Sequence, residues 1–183
     1  NNVPNDNIDR VIKKAAGGDG AQYEVVVYEG YGVGGVAVIV ETTTDNRNRT
    51  AADIRHYFDK CGGNMGTTGC VFMFADKGVI VVDGKSVADE DRFMEDVMEC
   101  GAIDFTGDDG IFEVFTDPSE LSGVRDALAA KGYVFLSAEP EKIPNTYVRL
   151  DDEEQRAKMS KLLGLLEDND DVQNVWHNWE DDE

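Results

Sequence analysis

Apolar positions recur along this chain with two periods, and the alternation between the periods gives the order of elements. Residues 22–29, QYEVVVYE, and 36–41, VAVIVE, are rich in β-branched residues and predict two strands, joined by the glycine turn GYGVGG. After a polar run, Thr50 and Asp53 form a T-x-x-D capping pattern that opens a helix. Ala51, Ile54, Phe58 and Cys61 share its apolar face, and Gly62-Gly63 ends it. A glycine loop, GNMGTTG, then leads to CVFMFA, read as another strand.

The next segment has its own rhythm. Residues 78–82 predict a strand, and a helix follows near 88–100 with Phe93 and Val97 on one face and Gly101 as cap. Strand 102–105 turns at TGDDG into strand 111–116. Asp117-Pro118-Ser119-Glu120 is a helix start, and that helix runs to about Lys131 before strand 133–138. The order βαββαβ predicts a ferredoxin-like unit over 77–140.

Beyond the link EPEKIP, strand 146–150 precedes a helix opened by Asp151 and Glu154. Met159, Leu162, Leu163 and Leu166 line its apolar face, and EDNDD turns the chain into strand 172–177. Neither this β-α-β segment nor the opening strands can complete a sheet alone. The expectation is an α+β fold in which 21–76 and 141–183 form one split domain and 77–140 is inserted into it. Residues 5–16 read as a helix, with Ile8, Val11, Ile12 and Ala15 at helical spacing and Gly17-Gly18 as its stop. The chain opens on that helix without Met, so residues upstream of it are expected.

Composition narrows the class of protein. A content of 41% hydrophobic residues supports real cores and argues against disorder. No apolar stretch approaches the roughly 20 residues that span a bilayer, and the polar opening NNVPNDNIDR is no signal peptide. The three cysteines, Cys61, Cys70 and Cys100, give no disulfide framework and suit a reducing cytoplasm. Their spacing, and the isolation of His56 and His177, speak against a metal site.

The chemical motifs fail on context. GYGVGG satisfies G-x-G-x-x-G, but a dinucleotide site needs a helix after it, and here a strand follows. Asp108-Asp109 and Asp168-Asn169-Asp170-Asp171 lack the spacing of a calcium loop and read as turns. No nucleophile elbow, His-based triad or Walker loop is present, so no enzyme activity is expected. In the tail VWHNWEDDE, the acids beside Trp176 and Trp179 would repel phosphate, leaving a core role for one Trp and a partner-facing role for the other.

Charge then singles out one stretch. The formal net charge is −21, yet it is unevenly spread. Residues 77–140 hold 15 acids and 5 bases, and 151–183 hold 12 and 3, whereas 40–66 hold 4 of each. Any contact with a phosphate backbone must use a local basic patch. The segment TDNRNRT and the helix after it supply one, from Arg47, Arg49, Arg55 and Lys60, with Asn46 and Asn48 as interleaved amide donors. Two readings stay open for it: a nucleic-acid contact, or a solvated edge paired internally with Glu41, Asp53 and Asp59. Arg10, Lys13 and Lys14 make a possible additional basic face on the first helix.

The block YEGYGVGGVAVIVETTTDNRNRTAADIRHYFDKCGGNMGTTGCVFMF resembles the signature of the YebC/PmpR family, which includes the mitochondrial translational activators of cytochrome c oxidase. VPNDNIDRVIKKAAG and LEDNDDVQNVWHN resemble the same family on either side, so the likeness covers essentially the whole chain. Val33 departs from it, standing where the family usually has Pro or Asn.

The resemblance implies three domains: a basic helical domain of which 1–20 would be the last helix, the split α+β domain, and the ferredoxin-like insertion. It implies no cofactor and no catalytic residue. It also implies a role in gene expression, either as a DNA-binding transcriptional regulator or as a ribosome-associated factor that contacts rRNA or tRNA and eases synthesis of proline-rich stretches. In the ribosomal version the acidic domains would meet ribosomal proteins. A pure protein-interaction adaptor is the third reading.

Overall fold

A computed structural model of the protein describes residues 22–66 and 69–180. The predicted first helix, with Arg10, Lys13 and Lys14, lies outside the described residues. The chain divides into two compact units. One comprises the described residues up to Phe74 together with those from Pro144 onward, and the other is Ala75–Ile143.

In the first unit, β1 (Glu24–Tyr31) and β2 (Ala37–Thr44) form an antiparallel hairpin, with Glu24 opposite Thr44 and Tyr31 opposite Ala37. The turn between them needs glycine at Gly34, whose φ of 71° is a left-handed value that a branched side chain resists. Helix α1 (Arg47–Lys60) follows, then the short strand β3 (Asn64–Met65), which pairs with β1. The chain returns in β8 (Val148–Arg149), α4 (Glu153–Asp168), β9 (Val172–His177) and β10 (Trp179–Glu180). The main sheet has the order β3-β1-β2-β9, with β9 antiparallel to β2, and β8 and β10 form a separate parallel pair.

Why VAVIV lacks the polar alternation of a half-buried strand is now physical. Val36, Val38 and Val40 pack with Ile54 and Phe58 of α1 and Met159, Leu162 and Leu166 of α4. Ala37 and Ile39, on the opposite face, pack with Cys70, Phe74, Met73 and Trp176. Both faces are covered, so both sets are apolar, and full burial of each large side chain contributes about 1.5–3 kcal/mol. Trp179 is also in the first core, at 7% exposure, and Trp176 is half-buried against the second.

The second unit holds most of β4 (Phe74–Asp83), then α2 (Glu90–Glu99), β5 (Asp104–Asp108), β6 (Ile111–Thr116), α3 (Leu121–Ala130) and most of β7 (Phe135–Pro144). Its sheet order is β5-β6-β4-β7, with β6 antiparallel to both β4 and β5. That is the ferredoxin-like arrangement of a βαββαβ chain. Phe93 of α2 is fully buried among Phe105, Phe112 and Tyr133, whose ring centroids lie 5.8, 4.8 and 5.0 Å away. The molecule is thus α+β, with four α-helices among its described residues.

Two local expectations need correction. CVFMFA is not a strand of its own. Cys70–Met73 is a 3-10 turn, and β4 begins at Phe74 and runs on through the predicted strand 78–82. The Thr50–Asp53 capping box does not open α1 either. The Asn46 side chain accepts from the Arg49 N–H and caps the helix four residues earlier than expected.

Candidate nucleic-acid interface

The early start of α1 changes the role of every residue in TDNRNRT. Arg47, Asn48 and Arg49 lie in the first helical turn rather than in a loop. Thr50 sits inside the helix, fully buried, and points at the turn before β9.

There it meets Asp171. The Thr50 hydroxyl lies 2.9 Å from Asp171 Oδ2, and Arg49 Nη2 lies 3.0 Å from the same oxygen. A carboxylate only accepts, so Thr50 donates to it. The Thr44 hydroxyl, 2.7 Å from Thr50 Oγ1, then donates to Thr50 and accepts from the Asn46 N–H at 3.0 Å. One chain of donors runs from the helix cap to a carboxylate whose side chain is only 10% exposed. Asn169 Oδ1 accepts from the Asp171 N–H, and the Asp171 carbonyl accepts from Thr43 N, so the turn itself is fixed on both sides.

Arg49 also reaches Asp45 at 3.1 Å. Hydrogen bonds to Asp171 and then Asp45 hold its guanidinium above the ordinary arginine range. Two cations in a first turn oppose the helix dipole, and the two carboxylates facing Arg49 offset that cost. The candidate residues therefore divide. Arg49 is engaged within the fold, whereas the exposed Arg47, Arg55 and Lys60 make no ion pair among the described residues. Asn48 is exposed beside them, and the Asn46 side chain is used by the cap.

Four bases against Asp53 and Asp59 leave α1 net positive, and among the described residues it is the one α-helix that is. Asp171 was hidden in the sequence as part of an acidic turn. Turn chemistry accounts for Asn169, but nothing in EDNDD marks which acid is buried.

The other candidate chemistry remains unassembled. Among the described residues no group of three or more His, Cys, Asp or Glu side chains is placed to hold a metal ion, and no helix is long and apolar enough to cross a membrane. Cys61 and Cys70 are buried and Cys100 half-buried, all as free thiols.

The described residues thus form a split α+β unit and a ferredoxin-like unit, with α1 as their one net positive α-helix. The family profile described as TACO1/YebC second and third domain matches residues 23–179, and the chain belongs to that family, the YebC family. A "Probable transcriptional regulatory protein" of Ruminiclostridium cellulolyticum is 57% identical over 185 residues, covering 100% of this chain and 75% of the relative. A protein of the same name from Caldicellulosiruptor bescii is 55% identical over 185 residues, covering 100% of this chain and 76% of the relative. The crystal structure of a conserved hypothetical protein from Aquifex aeolicus matches with a TM-score of 0.81 at 45% identity, over 98% of this chain and 74% of that one.

Proposed function

We propose that this protein is a non-enzymatic, cytoplasmic regulator of gene expression that acts through nucleic acid, with α1 as its contact edge. The observation that carries the reading is the net positive α1 with Arg47, Arg55 and Lys60 exposed and in no ion pair among the described residues, in a chain of net charge −21. Such cations meet phosphates, and Asn48 adds an amide for sugar or base edges. The names of the relatives favour a transcriptional regulator on duplex DNA.

The cation count of α1 favours a second version. The three cations of α1 that make no ion pair among the described residues are fewer than the roughly 6–10 phosphate contacts of a strongly salt-dependent duplex binder. A ribosomal site on rRNA or tRNA adds to them the pairing of acidic surfaces such as α2 with basic ribosomal proteins.

The test compares the full-length protein with an Arg47→Ala/Arg55→Ala/Lys60→Ala variant. Cell lysate is sedimented through sucrose, and duplex-DNA binding is assayed in parallel at physiological salt. Wild type travelling with ribosomes while the variant does not supports the ribosomal version. A duplex shifted by wild type alone supports the transcriptional one. Identical behaviour of both proteins in both assays would leave α1 a solvated edge and end the proposal.

A further inference from the structure

Two turns meet at one end of the ferredoxin-like unit. The β5–β6 hairpin closes on Asp109-Gly110, both in the left-handed region at φ 51° and 78°, with Asp108 opposite Ile111 as its last pair. The Gly110 carbonyl accepts from the Gly84 N–H at 2.9 Å, so the hairpin tip rests on the 3-10 turn Gly84–Ser86 that follows β4. Only glycine fits at Gly84, because a Cβ there would collide with that same carbonyl. The Phe112 ring lies against the bare backbone of Gly107, where a Cβ would stand 2.7 Å from a ring carbon. Between the tip, the turn and the start of α2 opens a cleft of about 440 Å³. Phe105, Phe112 and Val87 line it together with Glu90, Asp108 and Asp109.

The lining carries three carboxylates and no base. Neighbouring acids are used by the fold: Asp83 accepts from the Lys85 N–H, and Asp89 from those of Asp91 and Arg92. The side chains of Glu90, Asp108 and Asp109 make no hydrogen bond or ion pair among the described residues. They are also not placed to hold a bare metal ion, as no group of three or more His, Cys, Asp or Glu among the described residues is. Instead they stand around two half-buried phenyl rings. A ligand that satisfies both surfaces is an organic cation, and a planar one. A guanidinium donates in its plane to carboxylates and lays its face on an aromatic ring, whereas an ammonium is a strongly hydrated point charge. The volume lies within the roughly 300–1,000 Å³ of ligand clefts.

The geometry points to this cleft as the receptor for an arginine side chain of a basic protein partner. The guanidinium donates to the carboxylates while its face and methylenes cover Phe105, Phe112 and Val87. A protein segment fits better than a free small cation because the acidity continues outside the cleft. The adjoining α2 exposes Asp91 and Glu95, and residues 77–140 hold 15 acids to 5 bases. Such a surface draws in a chain that carries several bases, and one arginine anchored in a pocket sets its register. The inference goes beyond the reading of α1 and does not depend on what α1 meets.

The test measures binding of the full-length protein to three fluorescein-labelled peptides, in which glycine alternates with arginine, lysine or citrulline, at physiological salt. The arginine peptide is expected to bind most tightly, the lysine peptide more weakly and the citrulline peptide not at all. Glu90→Gln/Asp108→Asn/Asp109→Asn keeps the shape, since Asn also tolerates the left-handed φ of Asp109, and should weaken the arginine peptide about tenfold or more. Asp91→Asn/Glu95→Gln/Glu120→Gln removes as much charge from exposed positions outside the cleft and should weaken it far less. Amide NMR shifts of the wild-type protein should move with the arginine peptide at 84–90 and 105–112. That map needs no variant, so it decides the case even where a substitution disturbs the hairpin.

Equal weakening by the two triple variants would overturn the inference, because diffuse acidity would then account for the binding. So would equal affinity for the arginine and lysine peptides, shifts that spread away from the cleft, or no binding of the arginine peptide by wild type. Displacement of that peptide by spermidine at a lower concentration than by the unlabelled peptide would assign the cleft to a free polyamine and overturn the protein partner. Arg47→Ala/Arg55→Ala/Lys60→Ala is expected to keep its affinity for the arginine peptide, which separates this site from the reading of α1.

Discussion

Thr50 and Asp171, 121 residues apart, are joined by a buried hydrogen bond of 2.9 Å between hydroxyl and carboxylate. The bond ties the first turn of α1 to the turn before β9, and so fixes where the helix begins on the sheet. Arg47 and Asn48, one turn away on the outside, take their orientation from it.

Removing that bond should cost stability without touching the surface. Thr50→Val keeps the shape and leaves Asp171 short of a donor, a loss of about 1–3 kcal/mol. Urea unfolding of Thr50→Val, Asp171→Asn and the double variant would check it. The double variant should lose less than the sum of the singles, because the two residues share one interaction.

The arginines should separate by assay. Arg49→Ala is expected to lower the unfolding midpoint, through the loss of its contact with Asp171, while Arg47→Ala leaves it unchanged. On a nucleic-acid probe, replacing Arg47, Arg55 and Lys60 together should reduce the salt slope of binding by about 2 for single strands, given roughly 0.7 per phosphate contact. A reverse pattern, in which Arg49 alone controls the slope, would reassign the contact.

In the ferredoxin-like unit, Lys131 Nζ lies 2.8 Å from Asp96 and 2.8 Å from Glu99, and Tyr133 OH donates to Asp96 at 2.6 Å. Lys131 first, and Tyr133 second, hold the Asp96 carboxyl below its ordinary range. Burial, then the Asp96 bond, pushes Tyr133 up to about 12. A depressed carboxyl binds fewer protons folded than unfolded, so its contribution is complete above the ordinary value near 3.9 and is lost as pH falls through the depressed one. Asp96→Asn should therefore be less stable than wild type at pH 7. The gap should close in acid-range melts below about pH 4.

Phe93 fills the centre of the core of the second unit, against three aromatic rings. Phe93→Ala is expected to cost about 3–5 kcal/mol. Calorimetry should show the loss in the transition of the second unit. Loss of far less would mean that Phe105, Phe112 and Tyr133 collapse into the space.

Much of the fold was legible in the chain because periodicity is a local property. β-branched runs marked β1 and β2, glycines marked their hairpin, and Asp117-Pro118 marked a helix start that the structure realises as a 3-10 turn leading into α3. The βαββαβ order could be read for the same reason. The reading failed where a distant residue decided the local form. Thr50 looked like a cap, but Asn46 caps and Thr50 answers to Asp171. CVFMFA looked like a strand, but Glu29 from β1 stabilises a 3-10 turn there.

The sequence by itself determined the α+β class, the family and the basic stretch, since each is carried by composition, spacing and residue type. Only the tertiary structure decided which cations are available and which ring is exposed. Asp171 engages Arg49 and leaves Arg47 outward, and the braced turn at Cys70–Met73 turns Phe72 to solvent. Charge and hydrophobicity are properties of a residue, whereas availability depends on what the fold brings to within a hydrogen bond of it.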